Sequence, residues 1–451
     1  MFSGAKTTAP SAYNLTKSLR FKQSAGSYLS RTYGTPTSTQ IGTMAFWYKI
    51  GLLSGGTSST ITMPWGTVST STGNGSYIQF SGDNLRVQDN TSGANIFTAA
   101  VYRDTSAWYH FVIACDTTQA TASNRLKIYV NGTQITSFST SQTQNQNTNT
   151  GWNGTSAQTI AAYAHGPGSF FDGYIAEFYN IDGQALDPSY FGVIAPATGV
   201  WSPKRYSGTY GTNGFYLPFS NGTSTTTLGY DSSGNGNNWT TNNISLTAGS
   251  TYDWMLDSPT AYAGSSYGVG NYCTLNPIDH IANTYVTVSD GNLTCLGNTA
   301  TDSGAVAATM YVNSGLWYWE LTRVGTGQFA YAGLVIPPIS AKTSAEAALG
   351  SGVEYRSDGP TASFGGGGVT LPTWNTAGDI IMVALDATNG AVYFGKNGTW
   401  LNSGVPTSGS SKTGAVATWT GGTYTFAPAA AGYQSGNGAN FNFGQRPFAY
   451  T

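Results

Sequence analysis

The sequence predicts an all-β protein, and three observations carry that prediction. The chain of 451 residues contains 59 Gly, and runs of Gly, Ser, Thr and Asn interrupt it at short intervals. Aromatic residues make up 14% of the chain, including 29 Tyr and 12 Trp, so there are many large side chains to bury. Between the turn-forming runs lie short aromatic and β-branched stretches, which favour strands.

The length suits two or three domains rather than one core. Residues 1–200 show short strands at close spacing, the pattern of a sandwich or jelly roll. In "LKIYVNG", residues 126–132, apolar and polar residues alternate, and Asn131-Gly132 is predicted to turn a hairpin. The polar stretch 139–158 is predicted to form a long surface loop.

The rest of the chain divides at a change in composition. Residues 201–262 contain few apolar runs and are predicted to form a turn-rich connector that lends a strand to a neighbour. Strand spacing resumes over residues 263–451, with a hairpin predicted at Asn397-Gly398. The nearest candidate for a helix is the short stretch 340–350.

Charge and cysteine content exclude several classes of protein. Charged residues are 8% of the chain, with 18 basic and 20 acidic residues, against about 25% in ordinary soluble domains. Without a basic cluster, no nucleic acid partner is expected. No apolar run is long enough for membrane insertion and the N-terminus is no signal peptide, so synthesis in a cytoplasm is expected. Cys115, Cys273 and Cys295 are expected to be reduced and buried, with a Cys273–Cys295 bridge as the alternative.

Four elements of the first domain resemble the laminin-G or concanavalin A-like jelly roll, in order along the chain. They are "TMAFWYKI" (43–50), "SAWYHFVIACD" (106–116), "NRLKIYVNGTQI" (124–135) and "FFDGYIAEFYNIDGQALDPSYFG" (170–192). The resemblance implies a two-sheet jelly roll over residues 1–200. The stretch "LGYDSSGNGNNWT" (228–240) is similar to the opening of another such domain, although no further domain of that type follows it.

The second domain resembles a SPRY (B30.2-like) domain, which implies a bent β-sandwich. "SGLWYWELTRVG" (314–325) is similar to the Trp-Tyr-Trp-Glu strand of that family. "GDIIMVALDATNGAVYFGKNGTW" (378–400) is similar to its Gly-Asp strand and the hairpin that ends in Lys-Asn-Gly. "NFNFGQRPFAY" (440–450) is similar to its closing strand. SPRY domains generally bind proteins or peptides through their loops.

The sequence offers little for catalysis. A glycosidase needs two cooperating carboxylates, and no Glu-x-Asp-x-x-Glu strand is present. Asp172, Glu177, Glu320 and Asp386 occupy strand positions of the two families, where structural hydrogen bonding is expected. The protein is therefore predicted not to be an enzyme and to require no cofactor, with a polysaccharide depolymerase as the lesser alternative.

Two kinds of ligand site are predicted. Jelly rolls of this type often bind Ca²⁺ through carboxylate, amide and backbone oxygens, and the candidate donors are Asp83, Asn84, Asp116 and Asp172. Carbohydrate is the best small-ligand hypothesis, because aromatic faces and neutral polar side chains recognise sugars. The candidate platforms are Trp65, Trp152, Trp239, Trp374, Trp400 and Trp419, with burial in the cores as the alternative for each.

The pairing of the two modules resembles structural proteins of tailed bacteriophages, especially tail fibre or appendage proteins. The resemblance implies a virion location in the tail, contacts with other virion proteins, a homo-oligomer, and host attachment through surface polysaccharide or lipopolysaccharide. The alternative is a capsid decoration or head-fibre protein on the capsid surface that makes mainly protein–protein contacts. Fold alone does not decide between these functions.

Overall fold

A computed structural model describes residues 13–53, 61–67, 75–163, 169–196, 198–260, 270–281, 285–298, 303–327, 330–339, 352–363 and 368–450. These residues form two compact units. The first unit holds the described residues up to Thr247 and from Thr251 to Asn271. The second holds Ala248–Ser250 and the described residues from Tyr272 onward.

The first unit is a sandwich of two eight-stranded sheets with a separate two-stranded hairpin. Its strands are β1 (Ser18–Phe21), β2 (Tyr28–Thr32), β3 (Ile41–Ile50), β4 (Ile61–Thr67), β5 (Ser76–Ser81), β6 (Asn84–Asp89), β7 (Ala94–Val101), β8 (Tyr109–Asp116), β9 (Leu126–Val130), β10 (Thr133–Gln134), β11 (Phe138–Gln142), β12 (Ala157–Ile160), β13 (Gly173–Asp182), β14 (Gly192–Ile194), β15 (Trp201–Pro203), β16 (Phe215–Leu217), β17 (Thr240–Asn242) and β18 (Trp254–Met255). One short helix, α1, spans Thr225–Leu228.

The strand order of the first unit is that of two stacked antiparallel sheets. Sheet A runs β10-β9-β8-β3-β13-β1-β18, and β16 also pairs with β13. Sheet B runs β11-β7-β6-β5-β4-β12-β2-β17, and β14 pairs with β15 outside both sheets. The predicted loop 139–158 is shorter than expected, because its two ends pair as β11 and β12.

The second unit is a second antiparallel sandwich. Its strands are β19 (Leu275–Ile281), β20 (Val286–Ser289), β21 (Thr294–Gly297), β22 (Ser303–Ala308), β23 (Leu316–Val324), β24 (Ala330–Val335), β25 (Val353–Arg356), β26 (Thr361–Ser363), β27 (Ile380–Asp386), β28 (Ala391–Lys396), β29 (Thr399–Trp400), β30 (Ala417–Thr418), β31 (Ala427–Tyr433) and β32 (Gly438–Asn442). Sheet C runs β19-β22-β31-β24-β25-β26, and sheet D runs β20-β21-β32-β23-β27-β28-β29, with β30 beside β28.

The predicted alternation of apolar and polar residues along the strands determines which side chains form the two cores. In β6, the side chains of Leu85 and Val87 are buried between sheets A and B while their neighbours are partly exposed, as the two-residue period of a strand requires. A separate apolar core fills the second sandwich around Trp319, Val383 and Phe394. The all-β fold class is confirmed.

Sheet A is covered on both faces, which the sequence did not predict. Every residue of β13 is buried, instead of every second one. Tyr179 and Ile181 on the outer face of β13 pack against Phe191, Tyr206 and Tyr216. Residues 186–196 and 198–214 therefore form a third layer over sheet A, and we call these residues the outer layer.

The predicted connector 201–262 lends strands to the first unit, in keeping with the expectation that it would lend a strand to a neighbour. β16, β17 and β18 pair with β13, β2 and β1. Two fully buried ion pairs hold the same segment, Arg20–Asp253 at 3.0 Å and Lys49–Asp257 at 2.8 Å. The stretch 228–240, which resembles the opening of another jelly roll, leads directly into β17. The strands β17 and β18 occupy edges of sheets B and A and so complete the first jelly roll.

The first unit extends to Asn271, beyond the expected boundary after residue 262. Cys115, Cys273 and Cys295 are buried, and none of the three forms a disulfide. The helix candidate 340–350 lies outside the described residues, and within those residues no helix is long and apolar enough to cross a membrane.

Candidate functional site

Five of the six predicted aromatic platforms are buried in the sandwich cores. The exposed fractions are 8% or less for Trp65, Trp152, Trp239, Trp374 and Trp419. A ring at this depth stabilises its core and cannot present a face to a sugar in this conformation. Trp400 is partly exposed and lies edge-on to Tyr318, with ring centroids 6.3 Å apart.

The predicted calcium donors do not converge on one site. Asp116 pairs with Ile41, and Gly173, next to Asp172, pairs with Ile50. Ile41 and Ile50 are the two ends of β3, so these carboxylates lie about 30 Å apart at roughly 3.3 Å per residue. One ion cannot contact both.

The other two donors are engaged locally. The Asp83 carboxylate is buried and forms an ion pair with Arg103 at 2.7 Å, and the Asn84 amide donates to the carbonyl of Thr98 at 2.9 Å. Over the part of the chain that the structure describes, no group of three or more His, Cys, Asp or Glu side chains could hold a metal ion.

The four carboxylates expected to act structurally form hydrogen bonds. Asp172, Glu320 and Asp386 accept backbone N–H groups at 2.7–3.3 Å. Glu177 accepts the hydroxyl of Tyr13 at 2.7 Å. The bonds of Asp172, Glu177 and Glu320 join chain segments that are distant in sequence, whereas Asp386 accepts the N–H of Asn389 within the turn that follows it.

Three loops meet at the end of the first sandwich where β3 begins and β8 ends. They span residues 37–41, 116–119 and 143–153, and we call them together the amide rim. Backbone bonds join them: Thr150 N–H donates to the carbonyl of Thr39 at 2.7 Å, and Asn147 N–H to that of Thr117 at 2.8 Å. The Thr117 N–H donates to the carbonyl of Gln40 at 3.1 Å. The three loops are therefore one hydrogen-bonded surface.

Side chains reinforce the same surface. The Thr39 hydroxyl donates to Asn149 Oδ1 at 2.7 Å, and Gln40 Nε2 donates to the carbonyl of Asn147 at 2.8 Å. The Arg125 guanidinium donates to three loop carbonyls, those of Gln119, Ala120 and Gln144, at 2.8–3.0 Å. Because these bonds exist in the folded chain, the rim is organised before any ligand arrives.

Buried carboxylates anchor the rim from beneath. Asp89 is fully buried and accepts the hydroxyls of Ser76 and Ser92 at 2.6 and 2.8 Å and the N–H of Gly151 at 3.2 Å. Asp182 accepts the N–H groups of Thr37, Ser38 and Asn213 at 2.7–3.0 Å. These hydrogen bonds compensate the negative charges of Asp89 and Asp182 inside the protein. The exposed side chains of the rim carry only amides and hydroxyls: Thr37, Thr118, Gln119, Asn145, Gln146, Asn147 and Asn149. The partly exposed Asp116 carboxylate accepts from Thr118 and Gln119 at 2.6–3.0 Å.

A crevice too tight to admit a water molecule lies at the rim. Its walls are Gly42, Thr43, Met44, Cys115, Thr150, Trp152, Asn153 and Asn180. Two buried polar atoms of these residues, Trp152 Nε1 and Asn153 Oδ1, have no hydrogen-bond partner. The indole N–H groups of five other buried residues, Trp47, Trp65, Trp239, Trp319 and Trp374, are unpartnered in the same way, so this feature does not by itself mark a ligand site.

The thiol in the crevice wall is not a nucleophile. Burial raises the pKa of Cys115 well above its usual value, and the negative charges of Asp89 and Asp116 add to the effect. The neutral thiol accepts from Gln144 Nε2 at 3.4 Å and donates weakly to the Gln40 carbonyl at 3.9 Å. It therefore contributes a mostly apolar surface.

The sequence analysis predicted one residue of this site, Trp152. It predicted that the face of the Trp152 ring would contact a sugar, and it predicted nothing for the indole N–H group. The amides were missed as a site, because the polar stretch 139–158 predicted only a surface loop. The available signal was that the loops preceding β3 and following β8 are also rich in Thr, Ser, Gln and Asn.

Residues 23–188 match the family model Laminin_G_3, described as the concanavalin A-like lectin/glucanases superfamily. The matched range ends before β14, so β14–β18 and all but the first three residues of the outer layer lie beyond it. The predicted likeness of the first domain to this superfamily is confirmed. No curated protein sequence matches the chain.

Solved structures similar to parts of the chain include two SPRY domains. The SPRY domain of human HERC1 is 19% identical, with 38% of this chain and 99% of that chain covered and a TM-score of 0.30. The TRIM65 PSpry domain is 13% identical, with 38% and 90% covered and a TM-score of 0.27. A Bacteroides ovatus ATCC 8483 protein described provisionally as carbohydrate binding is 18% identical, with 51% and 59% covered and a TM-score of 0.33.

Proposed function

We propose that this protein is a non-enzymatic virion protein of a tailed bacteriophage, a tail fibre or appendage adhesin that binds host surface glycan through the amide rim. One observation carries the proposal. Three loops of a concanavalin A-like domain are hydrogen-bonded into a single surface whose exposed side chains are neutral amides and hydroxyls. The phage context rests on the resemblance of the paired modules alone.

The chemistry of the rim suits sugar hydroxyls. Each Asn or Gln amide offers both a donor and an acceptor, and each Thr hydroxyl does the same, so the rim can match hydroxyl groups in either role. The anchoring bonds of Asp89 and Asp182 hold the loops in place before binding, which lowers the conformational entropy lost on binding. Each site is expected to be weak, and several copies in a homo-oligomer would raise avidity by roughly 10² to 10⁴.

Titration of the purified chain against host cell polysaccharide or lipopolysaccharide tests this function. We expect wild-type binding, and about tenfold weaker binding for the double variant Thr118→Ala with Gln146→Ala, because each removes an exposed hydrogen-bonding group. The matched control is Gln134→Ala, an exposed amide on the edge strand β10 outside the rim. No binding by the wild type, or equal binding by all three proteins, would contradict the proposal.

A second function, capsid decoration, is favoured by a different surface. The hairpin of β14 and β15 and the turn before it expose Tyr190, Val193, Ile194 and Val200 by 41–60%. Apolar side chains grouped in this way often mark a protein contact. If decoration is the function, Ile194→Asp should abolish incorporation into particles while leaving glycan binding unchanged.

A further inference from the structure

We propose that the first unit cross-links itself through an amide bond between the side chains of Lys49 and Asn271. The bond forms with the loss of ammonia, and the carboxyl group of Asp257 carries the protons. The proposal goes beyond glycan binding and does not depend on it. Three side chains from distant parts of the chain meet on the outer face of sheet A and make this reaction feasible.

An amine, a carboxylate and a carboxamide are in contact there. Lys49 Nζ donates to Asp257 Oδ2 at 2.8 Å and to Asn271 Oδ1 at 2.7 Å. The amide carbon Cγ is bonded to Oδ1 at about 1.2 Å, so the lysine nitrogen is held next to the atom that it attacks. Reacting groups held together in this way behave as if they were at very high concentration.

The Asn271 amide is oriented for this chemistry. Its Nδ2 donates to the carbonyl of Ser106 at 2.5 Å, so Oδ1 faces the lysine. Asn271 is exposed, so released ammonia can leave to solvent. Gly270 forms an isolated bridge with Asp257, and the Ser258 N–H donates to the Gly270 carbonyl at 2.8 Å. The residue before Asn271 is therefore fastened to the segment that carries the carboxylate.

The amine and the carboxylate are shielded from water. The side chains of Lys49 and Asp257 are both 0% exposed. Trp108 Nε1 donates to Asp257 Oδ1 at 2.9 Å, and the centroid of the Tyr174 ring lies 5.8 Å from Lys49 Nζ. Within such an enclosure, a proton that passes from the ammonium to the carboxylate replaces two buried charges by two neutral groups. The neutral amine is the nucleophilic form.

The reaction balances without any co-reactant. Asp257 takes one proton from the Lys49 ammonium, and the freed lone pair of Nζ attacks Cγ of Asn271. A C–N bond forms, and the C=O π electrons move to Oδ1. Asp257 then gives its proton to Nδ2, the Cγ–Nδ2 bond breaks as the C=O bond re-forms, and ammonia leaves. Asp257 accepts the second proton that Nζ loses, so no charge remains buried.

The bond fixes the end of the first unit to its central sheet. Lys49 lies on β3, in the middle of sheet A, and Asn271 is the last residue of the first unit. The edge strand β18, which precedes Asn271, is held to β1 by only two residue pairs. Tension that reaches the chain at Asn271 passes directly into β3 and does not peel β18 from its sheet. The covalent link also restricts the unfolded chain, as other cross-links do.

The test is the mass of the purified full chain, measured after denaturation so that only covalent bonds survive. We expect the wild type to be lighter than its sequence by one ammonia molecule. A protease digest should contain a branched peptide that joins Lys49 to residue 271. The branched peptide is needed because an Asn-Gly pair such as Asn131-Gly132 loses the same mass when it cyclises to a succinimide.

Variants assign the roles. Lys49→Arg keeps the positive charge and removes the nucleophile, and Asp257→Asn removes the proton carrier, so both should have the full sequence mass. Lys22→Arg is the matched control, because Lys22 also pairs with a buried carboxylate, that of Asp253 at 3.2 Å. This variant should keep the mass deficit and the branched peptide. If Lys49→Arg or Asp257→Asn does not fold, the branched peptide of the wild type decides.

The outcomes are separate from those for glycan binding. A wild-type chain with its full sequence mass and no branched peptide, before and after prolonged incubation of the folded protein, would overturn the cross-link and leave Lys49 and Asp257 as an ion pair. A branched peptide that persists in Asp257→Asn would overturn the role of Asp257. Failure to bind host polysaccharide would overturn the function of the amide rim and leave the cross-link intact.

Discussion

Two turns, Asn131-Gly132 in the first unit and Asn397-Gly398 in the second, show how far one local sequence determines structure. Both Asn residues have a φ of 48°, and the Gly residues have φ values of 82° and 85°. In the first turn, Asn131 Oδ1 accepts the N–H of His110 and the Asn131 N–H donates to the carbonyl of His110, at 2.7 and 2.8 Å. In the second turn, Asn397 forms the same two bonds with Ile380, at 2.8 and 2.9 Å. The shared Asn-Gly-Thr sequence thus encodes the turn and its anchor.

The two turns differ in what covers the glycine. A Cβ at Gly132 would lie 2.7 Å from the ring of Trp201, whose Nε1 donates to His110 Nδ1 at 3.0 Å. A Cβ at Gly398 would lie 2.9 Å from the ring of Tyr450, close to the end of the described chain. Local sequence therefore determines the turn, whereas residues distant in sequence determine what packs against its glycine and how easily that side chain can move.

Substitution of the glycines should give the largest effect. Both positions have positive φ and no room for a Cβ. We expect Gly132→Ala to lower the free energy of unfolding of the first unit by about 2–4 kcal/mol, because Trp201 is held by its hydrogen bond and cannot move away. Gly398→Ala should cost the second unit about 1–2 kcal/mol, because the Tyr450 ring can swing aside. Thermal unfolding followed by calorimetry measures both, and equal effects would contradict the distinction.

Buried titratable groups give the first unit its own pH dependence. Burial lowers the pKa of His110 to about 3. Burial also raises the pKa of Glu177 to about 8, although Tyr13, Tyr179 and Tyr216 donate hydrogen bonds and the charge of Arg205 acts in the opposite direction. Folding therefore favours a neutral His110 and a protonated Glu177 at neutral pH.

His110 should destabilise the first unit as the pH falls, and Glu177 should destabilise it as the pH rises. The folded pKa of His110 lies below the usual value of about 6.5, so its contribution is present above that pH and is lost as pH falls towards about 3. The folded pKa of Glu177 lies above the usual value of about 4.3, so its contribution is lost as pH rises from there towards about 8.

We therefore expect Glu177→Gln to remove a decline of about 2 kcal/mol in the stability of the first unit between about pH 6.5 and 8. Chemical denaturation of wild type and variant at several pH values measures the difference. The transition of the second unit is the internal control and should not respond to the substitution. Parallel pH profiles for wild type and variant would show that Glu177 is not the responsible group.

Replacing each Asn by Asp should lower the free energy of unfolding of the two units by different amounts, and the difference should be smaller than that for the glycines. Asn131→Asp keeps the accepting Oδ1 and tolerates positive φ, so a loss below about 0.5 kcal/mol is expected. Asn397 also donates to Asp379 at 2.9 Å beside Lys396, so Asn397→Asp sets two carboxylates together and should cost about 1–2 kcal/mol. Urea unfolding at neutral pH checks this order, and the reverse order would contradict the anchor geometry.

Metal removal should have the smallest effect. The predicted donors Asp116 and Asp172 lie at opposite ends of β3, and Asp83 is paired with Arg103. We expect dialysis against EDTA to change neither the melting temperature of the first unit nor its glycan affinity, measured with and without added Ca²⁺. A rise in melting temperature on adding Ca²⁺ would reveal a site that these residues do not explain.

The sequence predicts the strands and turns well where the signal is local. Alternation in β9 and the Asn131-Gly132 turn, and the long hairpin of β27 and β28, follow from a two-residue period and from turn-forming residues. The outer layer could not be predicted, because its buried residues Phe191 and Tyr206 stand among polar and turn-forming residues with no period. Their burial follows from the exposed apolar face of sheet A, which is a tertiary property.

The candidate site was less predictable for the same reason. Abundant Trp rings suggested sugar platforms, but small β cores need large apolar side chains, and Trp65 and Trp374 fill them. The amide rim arises because strand order brings the start of β3 beside the end of β8, and because Asp89 reaches Gly151. No spacing in the sequence encodes that meeting.

The most direct test of the account is cryo-electron microscopy of intact phage particles incubated with host polysaccharide, at a resolution that traces the chain. We expect both sandwiches in the tail, the first unit projecting outward, and added density against residues 37–41, 116–119 and 143–153. Density for the chain spread over the capsid with an empty rim, or its absence from the particle, would contradict the account.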